Sequence, residues 1–243
     1  MAIAVIGMTD EREPALRLIK EGIERRGHET VLIDISIGTG AVASSLEPDI
    51  TCEDLAKRGG TTAQGIRDML AKERDRATEI MSRSLGQTLV QLKEEGRLKG
   101  VIAVGGMTGT TITLPAMKQL PFGFPKLLIS SVAAMPAYAK RLAEFFGVRD
   151  ITVMHSVVDT VGLNPLVHRL MINGAGAICG MVEEEVQPDL GGPGGPEPFR
   201  GVYRSGSRGV QRVYIGWEPG GRSRPPRCRV PHREALHPVA LRV

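Results

Sequence analysis

Five short apolar runs alternate with helical segments along the first 185 residues, and this alternation constrains the fold more than any other feature. The runs lie at residues 2–6, 30–35, 101–104, 126–130 and 151–154. Strands that alternate with helices favour βαβ units and a parallel sheet. We therefore predict an α/β fold over residues 1–185, with a Rossmann-like, doubly wound and mostly parallel sheet.

The segments between the runs carry the 3.6-residue period of amphipathic helices. Residues 15–23 share an apolar face after Pro14, and residues 66–95 predict one long helix or two consecutive ones. Residues 164–182 begin with an N-cap and a proline suited to the first helical turn. Residues 36–64 are rich in glycine and proline, which predicts a long excursion without regular structure.

The last 58 residues, 186–243, differ from the rest of the chain in composition. They contain 10 Gly and nine Pro and have no sustained helix or strand period, which is typical of disorder. They also hold ten Arg and no Lys. Two interpretations stay open: a GC-rich gene translated in the wrong reading frame, or a genuine disordered basic extension.

The net charge of +4 arises from this tail. Residues 1–185 carry 21 Lys and Arg against 23 Asp and Glu, so we expect no nucleic-acid partner. The chain shows no signal peptide and no apolar run of about 18 residues, which predicts a cytoplasmic protein with no membrane span. Cys52, Cys179 and Cys228 are widely spaced, which predicts reduced thiols and no CxxC metal site.

A glycine-rich loop, residues 105–111, directly follows the apolar run 101–104 and precedes a segment that can start a helix. Glycines let the backbone turn sharply and approach a ligand closely. Backbone N–H groups at such a turn and at a helix N-terminus, together with Thr hydroxyls, favour an anion such as phosphate. The loop matches neither the P-loop nor the GxGxxG pattern, so a purely structural turn is the alternative.

Polar residues also follow the other predicted strands. Gly7, Asp10 and Arg12 follow the first strand, where Asp10 could hold Mg²⁺ or a ribose hydroxyl and Arg12 could meet a phosphate. The alternatives are a helix N-cap for Asp10 and a solvated side chain for Arg12. Ser130 and Ser131 lie at the end of a further strand, and residues 155–159 follow another. Ligands of open α/β sheets bind at this edge.

The sequence disfavours a serine hydrolase and a metal site, and it leaves the role of one charged run open. His155, Ser156 and Asp159 lack a GxSxG elbow, which argues against a serine hydrolase. His28 and His168 fall in or beside helices without paired spacing, so we expect no metal site. The run Arg74-Asp75-Arg76 either is solvated or reaches the ligand edge, and the sequence slightly favours solvation.

A family resemblance covers about residues 2–185. It is carried, in order, by four motifs: the loop 105–110, Ser156-Val157-Val158-Asp159, Gly162-Leu163-Asn164 and Asn173-Gly174-Ala175-Gly176-Ala177. Together they resemble the uncharacterised bacterial and plant family that includes the tomato mosaic virus resistance protein. The resemblance implies an N-terminal ATP-binding domain of Rossmann-like character that is often a homodimer. In the plant member it implies binding of a viral replication protein, a role that is not transferred to this chain.

The chain departs from the family pattern at three places. Glu11 stands where the family's first turn has Thr, and an acid there would repel a phosphate. Met107 and Thr108 stand where Ser and Gly are usual, which narrows the loop. Family members continue into a second α/β domain that does not follow residue 185 here, and a frameshift or truncation would explain this.

The resulting hypothesis is an ATP-binding domain that uses Mg²⁺. Two alternatives stay open: an enzyme acting on a phosphorylated or acidic small molecule, with no catalytic residue assigned, and a regulatory protein whose conformation the nucleotide controls. The predicted nucleotide-binding residues are Gly7, Asp10, Arg12, Gly105, Gly106, Met107, Thr108, Gly109, Thr110, Thr111, Ser130, Ser131 and Asp159.

Overall fold

The structure, a computed structural model, describes residues 1–38, 44–138, 142 and 149–184. Within these residues, five parallel strands form one sheet in the order β2-β1-β3-β4-β5. The strands are β1 (Ala2–Gly7), β2 (Thr30–Asp34), β3 (Leu98–Gly105), β4 (Lys126–Ser130) and β5 (Thr152–His155). The predicted α/β fold with a parallel sheet is confirmed. The predicted tail, residues 186–243, lies outside the described residues.

Helices connect and cover these strands. They are α1 (Thr9–Glu24), α2 (Cys52–Arg58), α3 (Ala63–Leu70), α4 (Arg74–Glu94), α5 (Met107–Met117) and α6 (Pro165–Glu183). The helical segment at residues 66–95 is thus two consecutive helices. In the part of the chain that the structure describes, no helix is long and apolar enough to cross a membrane.

The expectation of no regular element in residues 36–64 is wrong, because α2 forms there. A capping box starts this helix: the Thr51 side chain accepts from the Asp54 N–H, and the Asp54 carboxylate accepts from the Thr51 N–H. Each partner satisfies a backbone donor that the helix end would otherwise leave exposed. The local Thr-x-x-Asp pattern therefore starts a short helix despite the surrounding glycines.

Helix α1 begins at Thr9, so the first turn precedes Pro14, which lies inside the helix. The backbone leaves helical geometry at Arg12, where φ is −126°. Pro14 has no N–H to donate, and its ring crowds the carbonyl of residue 10, which explains a kink here. The first turn of α1 consequently belongs to the loop edge of the sheet, and Arg12 lies at the kink.

Both faces of the sheet are buried. Along β1, Ile3 and Val5 contact one apolar cluster while Ala4 and Ile6 contact the other, as the two-residue period of a strand requires. Helices α1 and α6 cover the first face, and α2 to α5 cover the second. Gly174 of α6 permits close packing, since a Cβ there would lie 2.5 Å from Ile129 Cδ1.

The strand order creates a switch point between β1 and β3. The chain leaves β1 toward β2 on one side, and it leaves β3 toward β4 on the other. The carboxyl ends are in register, with Gly7 opposite Asp34, Gly105 opposite Ser130, and Ser130 opposite His155. Loops that diverge at such a point leave a crevice where ligands of open α/β proteins bind.

A buried lysine stabilises the opposite, amino-terminal end of β4. Lys126 is fully buried, and its Nζ donates to the carbonyls of Pro121 and Phe124 at 2.7 and 2.9 Å. Nζ also lies 3.0 Å from Asp150 Oδ1. Burial alone would raise the pKa of Asp150, but hydrogen bonds from Lys126 and the Gly123 N–H outweigh it and lower that pKa.

We expect Lys126→Met to lower the free energy of unfolding by about 2–3 kcal/mol, because two carbonyls and a carboxylate lose the donor that the buried lysine provides. Lys72→Met, at an exposed lysine, should change it by less than about 0.5 kcal/mol. Since the pKa of Asp150 is lowered, its contribution exists above the unfolded pKa of about 4 and is lost as pH falls through the folded pKa. Urea titrations at pH 7 and pH 3 measure both effects. Equal losses in the two variants at pH 7 would contradict this account.

Candidate functional site

The strand ends bring together side chains that are far apart in the sequence. A Cβ added to Gly106 would lie 2.7 Å from Arg12 Nη2 and 3.7 Å from Ser131 Oγ. Arg12 Nη2 is also 3.2 Å from Asp159 Oδ1. Residues from the ends of β1, β3, β4 and β5 therefore meet at the switch point.

The glycine-rich loop turns directly from β3 into α5. A Cβ at Gly105 would lie 2.9 Å from the backbone of Gly109 and Thr110, so only glycine allows this approach. Gly106 occupies the N-cap position of α5, where no side chain caps the helix. The helix start therefore has no N-cap side chain, and the helix dipole favours an anion in front of its first-turn N–H groups.

Three of the predicted hydroxyl residues make hydrogen bonds that hold the loop in place. Thr110 Oγ1 and Ser130 Oγ are both fully buried and share a hydrogen bond of 2.7 Å. Ser130 Oγ also accepts from the N–H groups of Val132 and Ala133. Thr111 Oγ1 donates to the Met107 carbonyl at 2.9 Å. Thr108 differs from these residues, because its hydroxyl accepts a hydrogen bond from Arg74 Nη1 at 3.4 Å.

Arg12 is the buried cation of the site, with only 4% of its surface exposed. Its Nε donates to Thr160 Oγ1 at 2.9 Å, and its two terminal nitrogens contact the carboxylates of Glu11 and Asp159. Five donors in a planar fork allow such simultaneous contacts. Glu11 is thus paired with Arg12, which offsets the repulsion that its carboxylate would exert on a phosphate.

The end of β2 is tied to the first turn of α1. Asp34 is buried, and its Oδ1 accepts from the N–H of Thr9 and from both the N–H and hydroxyl of Ser36. The Asp10 N–H donates to Ser36 Oγ at 3.3 Å. This network fixes the backbone around Asp10.

Cys52 lies beside the same carboxylate. Burial, followed by the charge and hydrogen bond of Asp34, raises the pKa of the Cys52 thiol to about 11. The sulfur therefore stays protonated at neutral pH, which argues against a thiolate nucleophile at this position.

The segment after β5 forms a strained turn. Val157 has φ 65°, which β-branched residues rarely adopt, and the Val158 N–H donates to the Ser156 carbonyl at 2.7 Å. Ser156 Oγ donates to the Val158 carbonyl at 2.6 Å, and His155 Nδ1 lies 3.1 Å from the Ser130 carbonyl. The histidine and serine thus each contact backbone carbonyls, which is not the geometry of a serine triad.

The structure adds residues that were not predicted for this site. Asp34 and Thr160 contact the first turn of α1, and Arg74 reaches the loop rather than being only solvated. Asp34 had a usable signal, because it lies near the end of the predicted run 30–35 and so near the ligand edge. Arg76, two residues along α4, is exposed and pairs with Glu73.

These features define a doubly wound α/β protein with a candidate anion site at its switch point. Residues 1–187 match the N-terminal domain of an uncharacterised protein family, UPF0261. The chain belongs to the UPF0261 family. The resemblance predicted from the sequence is confirmed.

Several relatives align with most or about half of this chain but with less than half of their own length. A UPF0261 protein of Clostridium tetani is 33% identical over 190 residues, which cover 78% of this chain and 44% of that protein. One from Brucella suis is 29% identical over 191 residues, covering 79% and 44%. The ToMV resistance protein Tm-1(GCR237) of Solanum lycopersicum is 32% identical over 133 residues, covering 55% of this chain and 16% of its own length. The chain thus spans less than half the length of these relatives.

We expect Val157→Gly to raise the free energy of unfolding by about 1 kcal/mol, since glycine adopts a positive φ without steric cost. Val161→Gly is the matched control, because Val161 is also exposed but has no positive φ. That control should be neutral or destabilising through its greater unfolded-state entropy. Denaturant midpoints measure the difference. A Val157→Gly variant no more stable than Val161→Gly would show that the turn carries no strain.

Proposed function

We propose that this chain is a nucleotide-binding domain whose glycine-rich loop and α5 N-terminus hold the phosphates of ATP. The observation that carries the proposal is the junction of the uncapped helix end with Arg12 at the β1–β3 switch point. Backbone N–H groups, a helix dipole and a guanidinium then converge on one place. Each of these groups favours a phosphate.

A second cation borders the loop from the other side. Arg74 belongs to the first turn of α4 and donates to Thr108. Arg12 approaches Gly106 at the start of the same loop. Two guanidiniums that flank a helix N-terminus suit a ligand with several phosphates better than a single carboxylate.

The excess of carboxylates at the site is the reason that the proposal includes Mg²⁺. Asp10, Glu11, Asp34 and Asp159 outnumber the two arginines of the site, so a bare polyphosphate would meet a net negative charge. Asp159 has 66% of its side chain exposed, and carboxylate oxygens are the ligands that Mg²⁺ takes alongside phosphate. Asp10 and Asp159 would hold the ion, which would offset the excess charge.

The choice of ATP as the nucleotide rests on the family resemblance, because the loop geometry recognises phosphate and does not distinguish a base. Homodimerisation and a cytoplasmic location, both expected from the sequence, stay predictions. An enzyme acting on a phosphorylated small molecule would use the same anion site. Asp10, His155 and Asp159 are the candidate general bases. His155 contacts the Ser130 carbonyl and Asp159 contacts Arg12, and we assign no catalytic residue. Phosphate release from ATP above a no-protein control would favour the enzyme.

We expect Arg74→Gln to weaken MgATP binding about tenfold, because a charge-assisted contact near the phosphates is lost. Arg76→Gln removes the same charge from the same helical turn but from an exposed pair with Glu73, so it should change the affinity less than about twofold. Isothermal titration calorimetry measures both affinities against wild type.

The same titration in EDTA should weaken ATP binding by about tenfold or more, since the carboxylates then lack a counterion. Wild-type protein without measurable MgATP binding would refute the proposed function. Equal losses in the two arginine variants would refute the placement of the phosphates at the loop.

A further inference from the structure

A cluster at the amino-terminal edge of the sheet is independent of the nucleotide site. His28, Cys179 and Glu183 each offer one ligand atom, and these three atoms lie within 4.8 Å of one another. The histidine follows α1 and precedes β2, while the other two residues lie in α6. The sequence predicted no metal site, because the histidine is about 150 residues away from its potential co-ligands.

The helix explains why two of the groups share one surface. Cys179 and Glu183 are four residues apart in α6, and side chains at this spacing lie on the same helical face. Cys179 is fully buried, whereas Glu183 has 47% of its side chain exposed. The cluster therefore has a buried side made by the thiol and an open side toward solvent.

His28 already has a defined orientation. The Lys99 ammonium donates to its Nδ1 at 2.6 Å, and its Nε2 lies 2.7 Å from Glu183 Oε1. An ammonium has no acceptor, so Nδ1 accepts and Nε2–H donates to the carboxylate. Contacts at both ring nitrogens consequently fix the orientation of the imidazole, with Nε2 toward the cluster.

We propose that His28, Cys179 and Glu183 form a binding site for Zn²⁺ or a similar borderline-soft divalent ion. Imidazole, thiolate and carboxylate are the three ligand types that zinc takes in proteins, and neighbouring ligands of a tetrahedral site are roughly 3.3–3.8 Å apart by the usual bond lengths. A small contraction of the cluster would meet this spacing. Water would complete the tetrahedron from the side where Glu183 is exposed.

Binding requires two local changes. Burial raises the pKa of the Cys179 thiol, so the metal must displace its proton to solvent. The Nε2 proton moves to Nδ1 or leaves, and Lys99 must turn away from Nδ1, which its half-buried position on β3 allows. Arg26 and Lys99 also act electrostatically on Cys179. These cations oppose a divalent ion, so Lys99 limits the affinity rather than supporting it.

The position of the site indicates a structural role. The metal would join the last turn of α6 to the α1–β2 connection, at the sheet edge opposite the glycine-rich loop. An ion that binds only the folded chain raises the stability by mass action. Zinc would therefore fix the end of α6 without touching the proposed nucleotide.

Titration of the full chain with Co²⁺, followed by Zn²⁺ competition, tests the proposal. Thiolate ligation gives a sulfur-to-cobalt charge-transfer absorption, and we expect it in wild type at one ion per chain. Cys179→Ser should abolish the band, and Glu183→Gln should weaken binding about tenfold or more. Cys52→Ser and Cys228→Ser are the matched controls and should keep the band. Because Glu183 is partly exposed, its variant stays informative even if Cys179→Ser does not fold.

Lys99→Gln distinguishes this metal site from an ordinary salt-bridge network. If the cluster binds zinc, removal of the competing charge should tighten binding about three- to tenfold. A wild-type chain with no charge-transfer band, a band that survives in Cys179→Ser, or weaker binding in Lys99→Gln would each overturn the proposal. None of these results depends on ATP binding, so the two proposals fail separately.

Discussion

The close approach of the β3 end to the first turn of α5 is the constraint on which the ligand edge depends. A side chain at Gly105 would collide with the backbone of the next helical turn, and one at Gly106 would collide with the Arg12 guanidinium. Because these two adjacent residues have no Cβ atoms, the N-terminus of α5 and the buried Arg12 guanidinium can lie next to each other. The hydrogen bond between Thr110 and Ser130 then fixes the loop against β4. The phosphate-binding geometry that we propose is a consequence of this packing.

Much of the fold could be predicted because its signals are local. Strands buried on both faces appear as continuous apolar runs, and all five runs became strands within one or a few residues of their predicted limits. Helix α2 was missed because its Thr51–Asp54 capping box is a four-residue pattern among helix breakers. The apolar face at residues 15–23 did not reveal the extra turn before Pro14, because the helix is kinked at Arg12. The sheet order depends on long-range pairing and has no local signal.

For the candidate site, the sequence predicted which strand ends contribute but not how their side chains pair. Rules for parallel sheets placed the loops after β1, β3, β4 and β5 together, and the structure brings Arg12, Gly106, Ser131 and Asp159 into one cluster. These rules could not show that the Thr110 and Ser130 hydroxyls share a hydrogen bond. They also could not show that Arg12 donates to Thr160, which is 148 positions away in the sequence. The cluster of His28 and Cys179 was missed for the same reason. Side-chain partners follow from the packed backbone rather than from sequence spacing.

In the proposed site, ATP phosphates bind where the glycine-rich loop meets Arg12. Amide hydrogen exchange with and without MgATP locates the ligand without altering the protein. We expect slower exchange in residues 105–111 and 8–12, with no change at residues 28–30 on the opposite edge. Protection confined to other segments, or none at saturating MgATP, would contradict this expectation.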